Sequence, residues 1–508
     1  MLLEYCIADR NGERYLPFQR VAEICRCLYD DFARKEVRRL PDMEIQEPDG
    51  TWRCFETQRE NWGGRDRHFF FRQTVVVPSS MAGMQVRYAL TPGPNGGWYW
   101  GAPQILCYVN GEVEQGMDSN HREIILSQCA VPGTQYEILL DAYCDMYHYQ
   151  DPLQMRAALV CVDTQAEKLY YDMIAPLEVA EQLPPDSLER IDILNCLNTA
   201  CSMLELHQGF GCEFYDSLKN TQAYIDEQLY GKLCKEQQAK ICAIGHTHID
   251  VAWRWTYRQT RDKTARSFST ALKMLELYPD YRFMSSQPQL YQYLKEDHPE
   301  LYEKVRQQVK AGRWEVEGGM WVEADTNLPN GESLVRQFLY GMDFFQKEFG
   351  KTCRVLWLPD VFGYSAALPQ IMNGCGIDYF VTAKISRNKY NKVPYDTFRW
   401  QGIDGSEVLS HFICAQEYGN TEQEFRTTYS GYLKPSLVMG CWKRYQQKNL
   451  NRSAMMSYGH GDGGGGPEPR MLELGTRMKQ GIPGCPQVQF GTVRGFMDDL
   501  EQQVGNDP

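Results

Sequence analysis

No apolar run in the sequence approaches the roughly 18 residues that a membrane-spanning helix requires, which excludes an integral helical membrane protein. The start, Met1-Leu2-Leu3-Glu4-Tyr5, lacks the basic stretch and apolar core of a secretory leader. The expectation is a soluble, cytoplasmic protein. Extended Lys/Arg runs are also missing: 53 basic residues face 66 acidic ones, for a formal net charge of -13. Nucleic acid and anionic membrane are therefore not expected partners. No Cys-x-x-C pair occurs, so a cysteine-bound zinc is not expected either. The 18 cysteines are scattered, many inside apolar runs such as Leu106-Cys107-Tyr108 and Val160-Cys161-Val162, and read as reduced, buried thiols.

What is present is length enough for two to four domains: 508 residues, at roughly 100 to 200 per domain. Residues 1–50 carry an amphipathic helical pattern between about Val21 and Leu40, with Val21, Ile24, Leu28 and Phe32 at helical spacing. From 51 to 180 the character changes to short strands, including 68–77, 86–90 and 105–109, with a hairpin signal at Asn110-Gly111. Repeated strands with turn residues between them predict a β-sandwich. Its aromatics Trp52, Trp62, Trp98, Tyr99 and Trp100 suit either a core or a sugar-stacking platform, and the core is the commoner use. Residues 181–239 return to helical periodicity, a connector without expected function.

From 240 to 508 strand and helix alternate. The candidate strands are 241–247, 282–286, 314–318, 353–359, 379–383, 407–412, 453–458 and 487–492, with helical runs such as 289–311 and 331–349 between them. Such alternation predicts a parallel sheet or barrel, whose chemistry gathers at the carboxyl ends of the strands.

Four strand ends carry the chemistry. The first delivers His246-Thr247-His248-Ile249-Asp250, where a side-chain period of two would put His246, His248 and Asp250 on one face as candidate metal ligands. Imidazole with carboxylate suits zinc-like divalent ions. The strand 353–359 ends at Asp360, which read alone would be a helix cap but beside a metal strand becomes a further ligand. The strand 453–458 runs into Gly459-His460-Gly461-Asp462 and four glycines; no G-K-[ST] follows, so a phosphate cradle is discounted, and Asp462 is a candidate proton donor. The strand 314–318 leads to Trp321, Glu323 and Asp325, groups that a polyhydroxylated substrate requires because each unpaired buried hydroxyl costs about 1 to 3 kcal/mol. For Glu323 and Asp325 a solvated loop role is the competing reading.

Together, His246-Thr247-His248-Ile249-Asp250-Val251-Ala252-Trp253, Trp357-Leu358-Pro359-Asp360-Val361-Phe362-Gly363-Tyr364-Ser365 and Gly461-Asp462-Gly463-Gly464-Gly465-Gly466-Pro467 resemble the α-mannosidases of glycoside hydrolase family 38, in the group with cytosolic and bacterial members. The resemblance covers roughly 240–508 and, more loosely, the preceding region. It implies a multidomain fold in which the sandwich and connector precede a (β/α)7 barrel. It also implies retaining hydrolysis of α-mannosyl oligosaccharides at zinc, with cobalt an alternative ion. It maps metal binding onto His248, Asp250 and Asp360, the nucleophile onto Asp360 and the acid/base onto Asp462. Trp253, Trp321, Glu323, Asp325, Tyr364 and His460 are then expected to contact substrate.

The family pattern also includes a downstream histidine ligand, in a segment resembling E-L-H-x-G-T-Y-T-T, and large C-terminal domains. The chain ends at Pro508 without them. The resemblance thus implies the N-terminal portion of a longer enzyme, with His460 or His411 as substitute ligands, poor metal retention, little activity alone and apolar surface that favours homo-oligomers. Two competing functions are a metal-dependent amidohydrolase or deacetylase, since H-x-H on a first barrel strand suits those too, and a non-catalytic carbohydrate-binding remnant.

Overall fold

The computed structural model describes residues 16–57, 59–93, 103–145, 153–207, 209–388, 390–420 and 426–505. The chain divides into two compact units, Met1–Leu233 and Cys234–Pro508. No helix among the described residues is long and apolar enough to cross a membrane.

In the first unit the strands are β1 (Glu36–Arg39), β2 (Met43–Gln46), β3 (Trp52–Phe55), β4 (Arg67–Val76), β5 (Gln85–Thr91), β6 (Gln104–Val109), β7 (Glu112–Met117), β8 (Glu123–Ser127), β9 (Gln135–Cys144) and β10 (Arg156–Val162). They form two antiparallel sheets, ordered β1-β10-β5-β8 and β3-β2-β4-β9-β6-β7. One apolar core joins inward residues of both sheets: Val86, Tyr88 and Leu90 of β5 alternate along their strand, as do Phe71 and Val75 of β4 along theirs. The β6–β7 hairpin turns at Asn110 and Gly111, both at positive φ, as a two-residue turn with matching twist requires. Trp62 is part of that core, in edge contact with Phe69 and Phe71, and Trp52 lies beneath the Arg72 guanidinium. Trp98, Tyr99 and Trp100 fall outside the described residues.

The helical elements differ in extent from the sequence pattern. Helix Leu16–Cys27 passes into a π-helical segment ending at Ala33, and Glu36–Arg39 pairs with β10 rather than continuing the helix. Helix Thr164–Gln182 begins well before residue 181, because Asp163 at the end of β10 accepts from the Gln165 and Ala166 N–H groups. Such a cap contributes about 1 kcal/mol.

The second unit contains β11 (Lys240–His246), β12 (Phe283–Ser285), β13 (Trp314–Val316), β14 (Val355–Leu358), β15 (Tyr379–Thr382), β16 (Thr397–Gln401), β17 (Glu407–Phe412), β18 (Ser453–Tyr458) and β19 (Gln487–Phe490). All eight strands expected from alternation are present. The additional strand, β16, pairs antiparallel with the edge of β17. Strands β13-β12-β11-β18 form one parallel sheet, with β19 also parallel to β11, and β14-β15-β17 form a second. Strands β14 and β15 are buried at every residue, which is why they read as unbroken apolar runs. Among the described residues no ladder joins the two sheets into a closed barrel of seven strands. Individual backbone bonds, Gly318 N–H to Val355 O and Cys414 N–H to Met455 O, pass between their edges.

Two carboxylates on β13 and its extension tie this unit together. Glu315 accepts from the Val493 and Arg494 N–H groups at 2.7 and 2.9 Å, at the start of helix Val493–Val504. Glu317 accepts from the Arg354 and Val355 N–H groups and lies 3.5 Å from the Arg494 guanidinium. Burial nevertheless pushes Glu315 up to about 7 and, with Glu315 adding repulsion, Glu317 up to about 8. Because both folded values exceed the unfolded one, the stability these groups contribute is full below about pH 4.5 and is lost as pH rises through about 7 to 8. The apparent melting temperature should therefore fall across that window, and Glu317→Gln should flatten the fall. An identical pH profile in the variant would contradict this.

Candidate metal centre

The site assembles at the carboxyl ends of the parallel strands, where the strand ends at β11 and β14 supply His248, Asp250 and Asp360. One ligand atom from each lies within 4.8 Å of the others. The Nε2 atom of His248 is 3.4 Å from Asp250 Oδ1 and 3.4 Å from Asp360 Oδ2. Side-chain exposure is 4% for His248, 25% for Asp250 and 13% for Asp360, so the group is withdrawn from water yet open on the carboxylate side.

Strict strand alternation stops earlier than the sequence pattern suggests, because β11 ends at His246. The His246 ring turns edge-on to Trp357, with 5.1 Å between centroids, and its Nδ1 is buried without a hydrogen-bond partner. Burial and the neighbouring His248 push its pKa well down, so it is neutral. His246 is not part of the ligand group.

Residues 247–250 are irregular but firmly held. Thr247 Oγ1 donates to His460 O at 3.0 Å; the Gly463 and Gly464 N–H groups donate to His248 O; Gln287 Nε2 donates to Ile249 O; Trp255 Nε1 donates to Asp250 O. The glycine-rich loop is thus a clamp on the ligand segment rather than an anion cradle. Gly461 is required by close approach, since a Cβ there would sit 2.8 Å from His248 N.

Electrostatics favour a cation. Burial alone would lower His248, but Glu323 and Asp250 outweigh it and push its pKa up to about 10. A proton therefore serves the carboxylates where a divalent ion would serve them better. One imidazole and two carboxylates within ligand reach, held in a low-water setting, match the donor set of a zinc-like ion, and these residues fit it.

Two further side chains enter this mouth that the motifs did not single out. Lys384 Nζ contacts Asp360 Oδ1, and Tyr429 OH donates to Asp360 Oδ2 at 2.8 Å. Burial, with Arg387 adding repulsion, lowers Lys384 to about 8 against the opposing pull of Asp462 and Asp250. Burial raises Tyr429, again with Asp462 and Asp250 contributing. Lys384 follows β15 directly, so the strand-end rule could have found it. Tyr429 lies in an irregular segment with no such signal.

The remaining expected residues divide. Asp462 is exposed, and its charge acts on both Lys384 and Tyr429, which puts it at the same mouth. Trp253 is 54% exposed beside Trp255 and the Arg254 guanidinium. Glu323 is buried against His248 Nδ1 at 2.9 Å. Trp321 donates to Gln289 and packs on Phe344; Tyr364 donates to Val361 O and contacts Thr382. Asp325 accepts from the Asn327 and Leu328 N–H groups, the turn role that competed with its substrate role. His460 Nε2 lies 3.5 Å from Glu468, and His460 is not one of the three clustered residues. His411 is fully buried, with Nδ1 on Thr397 and Nε2 accepting from Met455 N–H, so neither nitrogen is available as a substitute ligand.

Comparison with known proteins identifies relatives of the chain. The chain is 33% identical over 462 residues to Alpha-mannosidase G of Dictyostelium discoideum, covering 87% of this chain and 40% of that protein. It is 38% identical over 452 residues to Alpha-mannosidase 2C1 of Homo sapiens, covering 85% and 40% respectively. The chain thus spans about 40% of the length of these curated relatives. Among solved structures, an alpha-mannosidase from Enterococcus faecalis V583 superposes with a TM-score of 0.42 at 18% identity, over 53% of this chain and 30% of that one. The profile of the glycosyl hydrolases family 38 N-terminal domain matches residues 238–508, more than half of the sequence, and the chain belongs to that family.

Proposed function

We propose that this chain carries the catalytic centre of a zinc-dependent retaining α-mannosidase that removes terminal α-mannosyl residues from oligosaccharides. The observation that carries the reading is the convergence of His248, Asp250 and Asp360 within a family 38 domain. The relatives' names as alpha-mannosidases support the substrate class. Family membership weighs against the amidohydrolase alternative. The seam bonds Gly318–Val355 and Cys414–Met455 support a seven-strand ring of β13, β12, β11, β18, β17, β15 and β14. A reducing, cytoplasmic setting is supported by the free thiols of the described cysteines.

In this reading His248, Asp250 and Asp360 would hold the ion, which when bound would supply Lewis-acid attraction for neighbouring sugar hydroxyls. Asp360 attacks the anomeric carbon while Asp462 protonates the leaving oxygen, and Asp462 then takes a proton from water as the glycosyl bond to Asp360 is hydrolysed. Lys384 and Tyr429 orient Asp360 through its two oxygens. Trp253 offers an apolar face to the sugar ring.

Whatever rate the chain shows on p-nitrophenyl α-mannoside should fall by a factor on the order of 10⁴, or to background, in Asp360→Asn, since the nucleophile is lost. An equal rate in the variant would contradict the assignment. Metal uptake should also release a proton, because His248 is charged up to about pH 10 in the metal-free chain, and affinity should strengthen as pH rises toward that value. Calorimetric titrations in buffers of different ionisation enthalpy measure the release; uptake independent of buffer and pH would count against it.

A further inference from the structure

The two nitrogens of His248 have opposite surroundings. Nε2 faces Asp250 and Asp360, while Nδ1 lies 2.9 Å from Glu323 Oε2, with 4% side-chain exposure on each residue. Neither Nδ1 nor Oε2 has any other hydrogen-bond partner among the described residues. Two buried polar atoms with nothing else to satisfy them are committed to each other.

Glu323 is itself built in from two sides. Its other oxygen accepts from Ser286 Oγ at 2.7 Å, and its N–H donates to Gln287 Oε1 at 3.1 Å. The same Gln287 amide donates to Ile249 O at 3.0 Å, so one side chain bridges the segment carrying Glu323 and the segment carrying His248. Gln287 holds a positive φ of 61°, a conformation that costs a non-glycine residue about 1 kcal/mol and persists where its surroundings demand it. Gly318 leaves the room: a Cβ there would meet Ser286 Cβ at 2.7 Å. The sheet order makes this possible, because β11, β12 and β13 are neighbours and their carboxyl ends deliver His248, the Ser286-Gln287 pair and Glu323 side by side.

We propose that Glu323 is a positioning residue for the metal ligand: by accepting from Nδ1–H it fixes the ring's orientation and tautomer, leaving the Nε2 lone pair for the cation. Carboxylate–histidine–metal relays of this kind raise ligand basicity and lower the entropy lost on binding. Glu323 therefore acts behind His248 rather than on the sugar. The inference rests on the metal reading given under Proposed function.

The test is cobalt(II) titration of the full 508-residue chain against a chromophoric chelator, with the visible spectrum of the bound ion recorded, for wild type, Glu323→Gln, Glu323→Ala and His248→Ala. Glu323→Ala should weaken binding by about 10- to 100-fold. Glu323→Gln keeps an oxygen that can accept from Nδ1–H, so it should lose only severalfold while shifting the cobalt spectrum. If Glu323→Ala does not fold, the Gln variant alone decides: affinity and spectrum both matching wild type would overturn the proposal. So would a folded Glu323→Ala chain that binds within about twofold of wild type. Wild-type binding that survives His248→Ala, or no saturable binding at all, would instead defeat the metal reading and with it this one.

Discussion

Two carboxylates held against one imidazole nitrogen set the terms for everything around them. Asp250 and Asp360 approach His248 Nε2 from different strand ends, and each would repel the other without a shared cation. The Lys384 ammonium, in contact with Asp360, and the raised pKa of His248 both answer that repulsion. The surrounding architecture follows from keeping these charges in place: the glycine-rich loop locks the His248 backbone, Gln287 pins Ile249, and Tyr429 holds the far oxygen of Asp360.

Much of this was legible because parallel strands are buried on both faces and so leave unbroken apolar runs. Val355-Leu356-Trp357-Leu358 and Ala454-Met455-Met456 announce themselves, and the polar residues that follow each run are the ones at the site. Eight of the nine strands in the second unit follow from the alternation of strand and helix. The ninth, β16, is a short antiparallel edge strand in which Phe398 and Trp400 alternate with polar residues, so no unbroken apolar run marks it. Ring closure was expected from the family pattern, whereas the strand pairings form two sheets. Closure depends on long-range geometry at the seams, which no local pattern encodes.

The site residues divide along the same line. His248, Asp250 and Asp360 stand two to four residues beyond strand termini, where periodicity points to them. Continuing the strand pattern through His246 enlisted one histidine too many, because the backbone leaves the extended conformation at the turn into 247–250. Trp321, Tyr364 and Asp325 were chosen by chemistry suited to sugars, yet an indole, a phenol and a carboxylate serve packing, capping and turns equally well. Their hydrogen bonds with Gln289, Val361 and Asn327 show the structural use of each. Glu323 illustrates the limit: its spacing gives no hint that it would fold back across β12 to meet the rear of His248.

His248, Asp250 and Asp360 are placed to bind a single ion together. X-ray absorption at the metal edge of zinc-loaded chain measures it directly. The account predicts an imidazole contribution together with oxygen ligands at about 2.0 to 2.2 Å, both reduced in His248→Ala. A sulfur shell near about 2.3 Å, or oxygen scattering with no imidazole component, would contradict it.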